Sequence, residues 1–138
     1  MKHLRLILAI AFSFALFSVS ARAGPATKPS TQSAIRTIGV DEFEKLTADS
    51  SNVILDVRTP EEFAAGHLPG AINIDFNAED FEQKVSALDK NKTYLVHCAS
   101  GGRSARACKK LDRLNFPSLY NLKGGIAAWE KAGKKVEK

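Results

Sequence analysis

The chain has 138 residues, one domain's length at the ~100–200 residues a domain usually takes, and it contains no internal repeat. Its formal net charge of +5 owes much to Lys2, Arg5 and Arg22, which stand at the N-terminal end with no acid among them, so the charge is no argument for nucleic-acid binding. Two cysteines, Cys98 and Cys108, permit one disulfide bridge, and no His-Cys cluster at ligand spacing accompanies them, which argues against a structural metal site.

Met1 to Arg5 is a short basic start, Leu6 to Val19 is apolar apart from Ser13 and Ser18, and Ala21-Arg22-Ala23 places small residues where a signal peptidase reads. That order is the pattern of a secretory signal peptide over residues 1–23, cleaved after Ala23. The apolar run is short against the ~20 residues that span a bilayer, so no membrane anchor is expected after cleavage. The mature protein is expected to be periplasmic or secreted. Residues 24–36 are rich in Pro, Thr, Ser, Lys and Ala and read as a flexible linker, with a folded domain over 37–136.

Asp41 can cap a short helix over 42–46. Residues 53–57, Val-Ile-Leu-Asp-Val, have the look of a buried parallel strand. Thr59-Pro60-Glu61-Glu62 is a capping box with proline at the first helical position; its helix carries Phe63 and ends at Gly66. A turn at Leu68-Pro69-Gly70 leads to a strand over 71–74. Phe81, Val85 and Leu88 line one face of an amphipathic helix over 78–88. A strand over 93–97 is followed by a loop of small residues over 98–102. Ala107, Cys108, Leu111 and Leu114 mark the buried face of the next helix. A last strand covers 118–122, and a helix over 126–132 follows Gly124-Gly125 and stops at Gly133. Strands that alternate with helices imply an α/β fold: a parallel sheet, helices on both faces and right-handed crossovers.

Sites in such folds lie at the carboxyl ends of the strands. His97-Cys98-Ala99-Ser100-Gly101-Gly102-Arg103-Ser104 leaves a strand there and enters a helix. Small residues and two glycines let the backbone curl with several N–H groups turned inward, and the helix adds its positive end. A cysteine at the mouth of that cradle should be a thiolate near neutral pH. Arg103 adds a positive charge, and the Ser104 hydroxyl can cap the helix or donate to the thiolate. Cys98 and Arg103 enclose four residues. Cysteine-dependent phosphatases enclose five, so this shorter loop should close on something smaller than a phosphoryl group, such as one sulfur atom. Cys108 lies more than two helical turns beyond Cys98 and should point elsewhere, which disfavours a bridge whose Cα atoms must come within about 7 Å.

Asp56-Val57-Arg58-Thr59-Pro60-Glu61-Glu62-Phe63 with Gly66-His67-Leu68-Pro69-Gly70-Ala71-Ile72-Asn73 resembles the opening signature of rhodanese domains. Cys98 to Ser104 resembles their active-site loop, and Leu122-Lys123-Gly124-Gly125-Ile126 with Ala128-Trp129 their closing signature. The resemblance covers about Thr37 to Val136. It implies a three-layer α/β domain with a five-stranded parallel sheet, and a sulfurtransferase that holds sulfur as a Cys98 persulfide. The loop from Ala99 through Ser100, Gly101, Gly102 and Arg103 to Ser104 would hold the terminal sulfur. Sulfur would come from a small anionic donor such as thiosulfate, which Arg103 helps attract, and go to a thiol, to cyanide or to a sulfur-acceptor protein. No metal or organic cofactor is implied, and the oligomeric state implied is a monomer. Asp56 and Arg58 would form structural ion pairs near the site. His97, turned away from Cys98 by strand alternation, would support the loop from behind; the family often has an aromatic residue there. His67 reads as a structural hydrogen-bonding residue, Cys108 as a buried inert thiol and Trp129 as core. Two other readings remain open: a persulfide carrier or thiol-redox protein fed by a protein partner, and, with the loop length against it, a phosphatase or arsenate reductase of related fold.

Overall fold

The structure, a computed structural model, describes residues 34–138. The signal-peptide reading over 1–23 and the linker as far as residue 33 lie outside the described residues. Among the described residues five strands form one sheet: β1 (Ile35–Ile38), β2 (Val53–Asp56), β3 (Ile72–Asn73), β4 (Tyr94–His97) and β5 (Leu119–Leu122). Their order is β1-β5-β4-β2-β3, and every pairing is parallel. The helices are α1 (Val40–Thr47), α2 (Pro60–Ala65), α3 (Phe81–Ser86), α4 (Gly102–Arg113) and α5 (Gly125–Lys131).

Because successive side chains of a strand point to opposite faces, the apolar run of each central strand supplies two cores at once. Leu55, Tyr94, Val96 and Leu119 point to one face and pack with Phe81 and Val85 of α3 and Ala107, Cys108 and Leu111 of α4. Ile54, Leu95 and Leu122 point to the other and pack with Phe43 of α1 and Ile126 and Trp129 of α5. The result is three layers. Each fully buried Leu, Phe or Val contributes roughly 1.5–3 kcal/mol. The Trp129 ring meets Phe43 edge-on at 6.3 Å, and its Nε1–H donates to the Lys135 carbonyl at 2.9 Å, so the indole belongs to the core.

The capping box of α2 forms in full. Thr59 Oγ1 accepts from the Glu62 N–H at 3.3 Å, and Glu62 Oε2 accepts from the Thr59 N–H at 3.0 Å. Other boundaries differ from the sequence expectation. Order reaches into the expected linker, since β1 starts at Ile35 and pairs with β5 from Leu119. Only Ile38 of that edge strand is buried, so it has little apolar signature to read. Helix α1 starts at Val40 with Gly39 at its N-cap; Asp41 is in the first turn, where a carboxylate suits the helix dipole, and caps nothing. Helix α3 is held to 81–86, while Leu88 beyond it still packs on the core.

The C-terminal tail returns to the turn after α2. His67 and Glu137 exchange backbone hydrogen bonds of 2.8 and 2.9 Å. His67 Nδ1 lies 3.0 Å from the Phe63 carbonyl and its ring stacks on Phe63 at 3.8 Å, a structural placement.

Candidate active site

Strand β4 ends at His97, the chain turns at Cys98, and the loop enters α4 through Gly101, whose φ of +100° is a left-handed conformation suited to glycine. The space at Gly101 is also tight: a Cβ there would lie 3.2 Å from the Gly124 nitrogen, closer than ordinary van der Waals contact. The start of α5 grips the loop from the other side. Ile126 N–H donates to the Cys98 carbonyl at 2.8 Å and Ala127 N–H to the Ala99 carbonyl at 3.2 Å. A Cβ on Gly125 would stand 2.4 Å from the Cys98 carbonyl oxygen, so only glycine lets the two backbones meet.

Within this frame Cys98 Sγ accepts the Gly101 N–H at 3.1 Å and the Ser104 hydroxyl at 3.3 Å. Ser104 Oγ is also 3.2 Å from the Gly101 carbonyl. Its proton can serve one acceptor at a time, and a thiolate is the stronger one. Burial pushes the Cys98 thiol up, but the Ser104 hydroxyl and the N–H groups of Ser104, Gly101 and Ser100 outweigh it and hold the thiol below its ordinary value. The thiol is enclosed, at 1% exposure for the residue, so a slender reactant is required at the mouth. Cys108 has the opposite environment. Burial, aided by the charge of Cys98, pushes it up to about 12, so it is a neutral thiol at physiological pH. Both cysteines are free.

Arg103, expected to add a positive charge at the cradle, is paired with a carboxylate. Its Nη1 and Nη2 bond Glu62 Oε2 and Oε1 at 2.8 and 2.7 Å. The Arg103 hydrogen bonds hold the Glu62 carboxyl well down, at about 2, against an opposing effect of burial and with help from the Thr59 N–H. The pair ties the start of α4 to the start of α2. Glu62 was legible only as a capping residue; nothing local to it indicated a partner 41 residues away.

Asp56 and Arg58 form a buried pair. Arg58 Nε lies 3.0 and 3.1 Å from the two Asp56 oxygens, and Arg58 Nη2 lies 2.6 Å from Oδ2 and 2.8 Å from the Gly66 carbonyl. Asn73 Nδ2 donates to the carbonyls of both Asp56 and Arg58, at 3.0 and 2.8 Å. The cluster thereby joins β2, the end of α2 and β3. His97 is the strand partner of Asp56, and its Nε2 is 3.6 Å from Asp56 Oδ2. Its Nδ1 is 3.4 Å from the Cys98 carbonyl, which puts it behind the loop. Burial lowers the His97 pKa, against the attraction of Asp56, so the ring is neutral near pH 7. Among the described residues no group of three or more His, Cys, Asp or Glu side chains is gathered to hold a metal ion.

The Rhodanese-like domain family matches residues 39–132. The chain is 32% identical over 100 residues to a sulfurtransferase of Allochromatium vinosum, covering 72% of this chain and 92% of that protein. It is 30% identical over 100 residues to thiosulfate sulfurtransferase GlpE of Shewanella oneidensis, covering 72% of this chain and 97% of that one. A rhodanese-related protein of Thermoplasma volcanium superposes at a TM-score of 0.66 and 31% identity, over 74% of this chain and 97% of the other.

Proposed function

The chain belongs to the rhodanese-like domain family, and we propose that it is a sulfurtransferase that takes sulfane sulfur from a small anionic donor such as thiosulfate, holds it as a persulfide on Cys98 and passes it to a thiol or to cyanide. A sulfurtransferase role agrees with the relatives that bear that name. The observation that carries the finer reading is the thiol itself: Cys98 Sγ at the start of α4, bonded by the Gly101 N–H and the Ser104 hydroxyl.

The Cys98 thiolate attacks the outer sulfur of thiosulfate. A bond forms between Sγ and that sulfur, the bond to the sulfonate sulfur breaks, and sulfite leaves with the electron pair. The new terminal sulfur keeps one negative charge. Inward-turned loop N–H groups and the positive end of α4 stabilise it, as they stabilised the thiolate. An acceptor thiolate or cyanide then attacks the terminal sulfur and Cys98 leaves as a thiolate. Arg103, neutralised by Glu62, holds the loop in shape.

The mature protein and its Cys98→Ser variant, incubated with thiosulfate, should differ in intact mass by the gain of one sulfur in the wild type alone, removed again by cyanide. No gain from a thiol that still alkylates would sink thiosulfate as donor and favour a carrier loaded by a protein partner. Hydrolysis of a small aryl phosphate would favour the phosphatase reading instead.

A further inference from the structure

Helix α4 leaves the catalytic loop carrying five cations, Arg103, Arg106, Lys109, Lys110 and Arg113, against one carboxylate, Asp112. The other described residues hold more carboxylates than cations, so the positive charge of the domain is gathered on this element. Two of the five are committed: Arg103 to Glu62, and Lys110 to Glu82 at 3.1 Å. Arg106, Lys109 and Arg113 make no ion pair among the described residues. With Gly102 they stand at i, i+4, i+7 and i+11, one stripe of a helix, and all four are exposed, while Ser104, Ala107, Cys108 and Leu111 are buried. At 1.5 Å rise per residue the stripe runs roughly 16 Å from the mouth of the loop.

This distribution is not what helix stability alone would select. The first turn of α4 holds no acid and carries Arg103, where the dipole disfavours a cation. Glu62 relieves that cation. Arg106, one turn on, has no carboxylate partner among the described residues and lies over the Phe76 ring, whose centroid is 5.2 Å from its guanidinium carbon. Phe76 packs on the core cluster to which Cys98 also belongs, so Arg106 is anchored to the body of the domain. Exposed cations left without carboxylate partners, on the helix that leaves Cys98, add little to stability and point to a use outside it. A small donor anion spans only the mouth. Cations that continue to Arg113 match a partner of macromolecular size.

We propose that the stripe of Gly102, Arg106, Lys109 and Arg113 docks an acidic sulfur-acceptor protein and brings its cysteine to Cys98; this rests on the persulfide reading of Cys98. Transfer is a displacement. The acceptor thiolate bonds the terminal sulfur, the bond from that sulfur to Cys98 Sγ breaks, and its electron pair returns to Cys98. Sulfane sulfur changes carrier and no oxidant is needed.

The probes are two cysteine peptides of equal length, one flanked by glutamates and one by glutamines. Two rates are measured for each: sulfur transfer from the persulfide-loaded protein, and reaction of the unloaded protein with the peptide's mixed disulfide with thionitrobenzoate, which needs the Cys98 thiolate and no persulfide. At low salt the acidic peptide should react roughly ten-fold faster than the neutral one, and the preference should collapse at about 0.5 M salt. R106E/K109E/R113E should abolish or invert the ratio of the two rates, and R106Q/K109Q/R113Q should remove it with less perturbation of the fold. Equal rates for the two peptides, or a preference that survives both variants, would overturn the proposal. So would stripe-dependent retention of duplex oligonucleotide or anionic vesicles in the absence of any peptide preference. Failure to load sulfur while the mixed-disulfide preference holds would remove the persulfide reading and leave the docking surface standing.

Discussion

Glu62 and Arg103, 41 residues apart in the chain, meet through two bonds of 2.8 and 2.7 Å. The same carboxylate closes the N-terminus of α2 by accepting from Thr59. One side chain thus fixes the start of the helix after β2 and the first turn of the helix after the Cys98 loop.

Glu62→Gln keeps the shape, loses the ion pair and weakens the cap. Since the pair is partly exposed, a cost of about 1–2 kcal/mol is expected in urea unfolding. The kcat/KM for sulfur transfer should fall several-fold as the loop loosens. An unchanged kcat/KM would show that Arg103 needs no restraint.

Two groups, Glu62 and His97, give the pH dependence of stability separable contributions. Glu62 falls from 4.5 to about 2 on folding, so its contribution is complete above 4.5 and is lost as the pH falls toward 2. His97 is also lowered, from 6.5, so the unfolded chain binds its proton first and stability begins to drop as the pH falls below 6.5. His97→Gln should remove the upper of these two declines and leave the lower; Glu62→Gln should do the reverse. Urea titrations between pH 3 and 8 read both.

Ser104→Ala removes the hydroxyl that opposes the effect of burial on Cys98. The midpoint of iodoacetamide alkylation against pH should move up, and the rate at pH 7 should fall roughly ten-fold, the scale of a hydrogen bond to a charged group. Cys108, held at about 12, should stay unmodified under the same conditions.

Gly125 and Gly133 have similar left-handed φ values, +60° and +73°, but different surroundings. Gly133→Ala meets nothing within 4 Å and should cost only the conformational term, about 1–2 kcal/mol. Gly125→Ala drives a Cβ to 2.4 Å from the Cys98 carbonyl and should cost about 3 kcal/mol or more, with activity lost as the loop is displaced. Thermal unfolding and turnover of the two variants, side by side, make the comparison.

Asp56→Ala should leave Arg58 buried without its carboxylate, an outcome that usually costs 3–5 kcal/mol. If the loss in urea unfolding is under about 1 kcal/mol, the pair contributes little beyond its packing.

Much of the fold was legible because its signals are local. The apolar runs of β2 and β4, the capping box at Thr59 and the glycine-rich turn after Cys98 each lie within a few consecutive residues, and short-range sterics and hydrogen bonding dictate them. The position of the thiol at a helix start followed from the same local chemistry. Strand β1 escaped because an edge strand that buries only Ile38 carries almost no hydrophobic pattern.

What the tertiary structure alone decided depends on the sheet order β1-β5-β4-β2-β3. That order sets β4 between β2 and β5. It brings the α2 carboxylate of Glu62 to Arg103, the backbone of Gly125 against Cys98, and the Asp56–Arg58 pair behind the loop through His97. It also turns one face of α4 into the core and leaves the cation stripe outside. Which residues could do chemistry was already set along the chain, since charge, nucleophilicity and backbone freedom belong to each residue and its neighbours. Which of them are neutralised, shielded or left open is a matter of contacts between distant segments, and those exist only once the chain has folded.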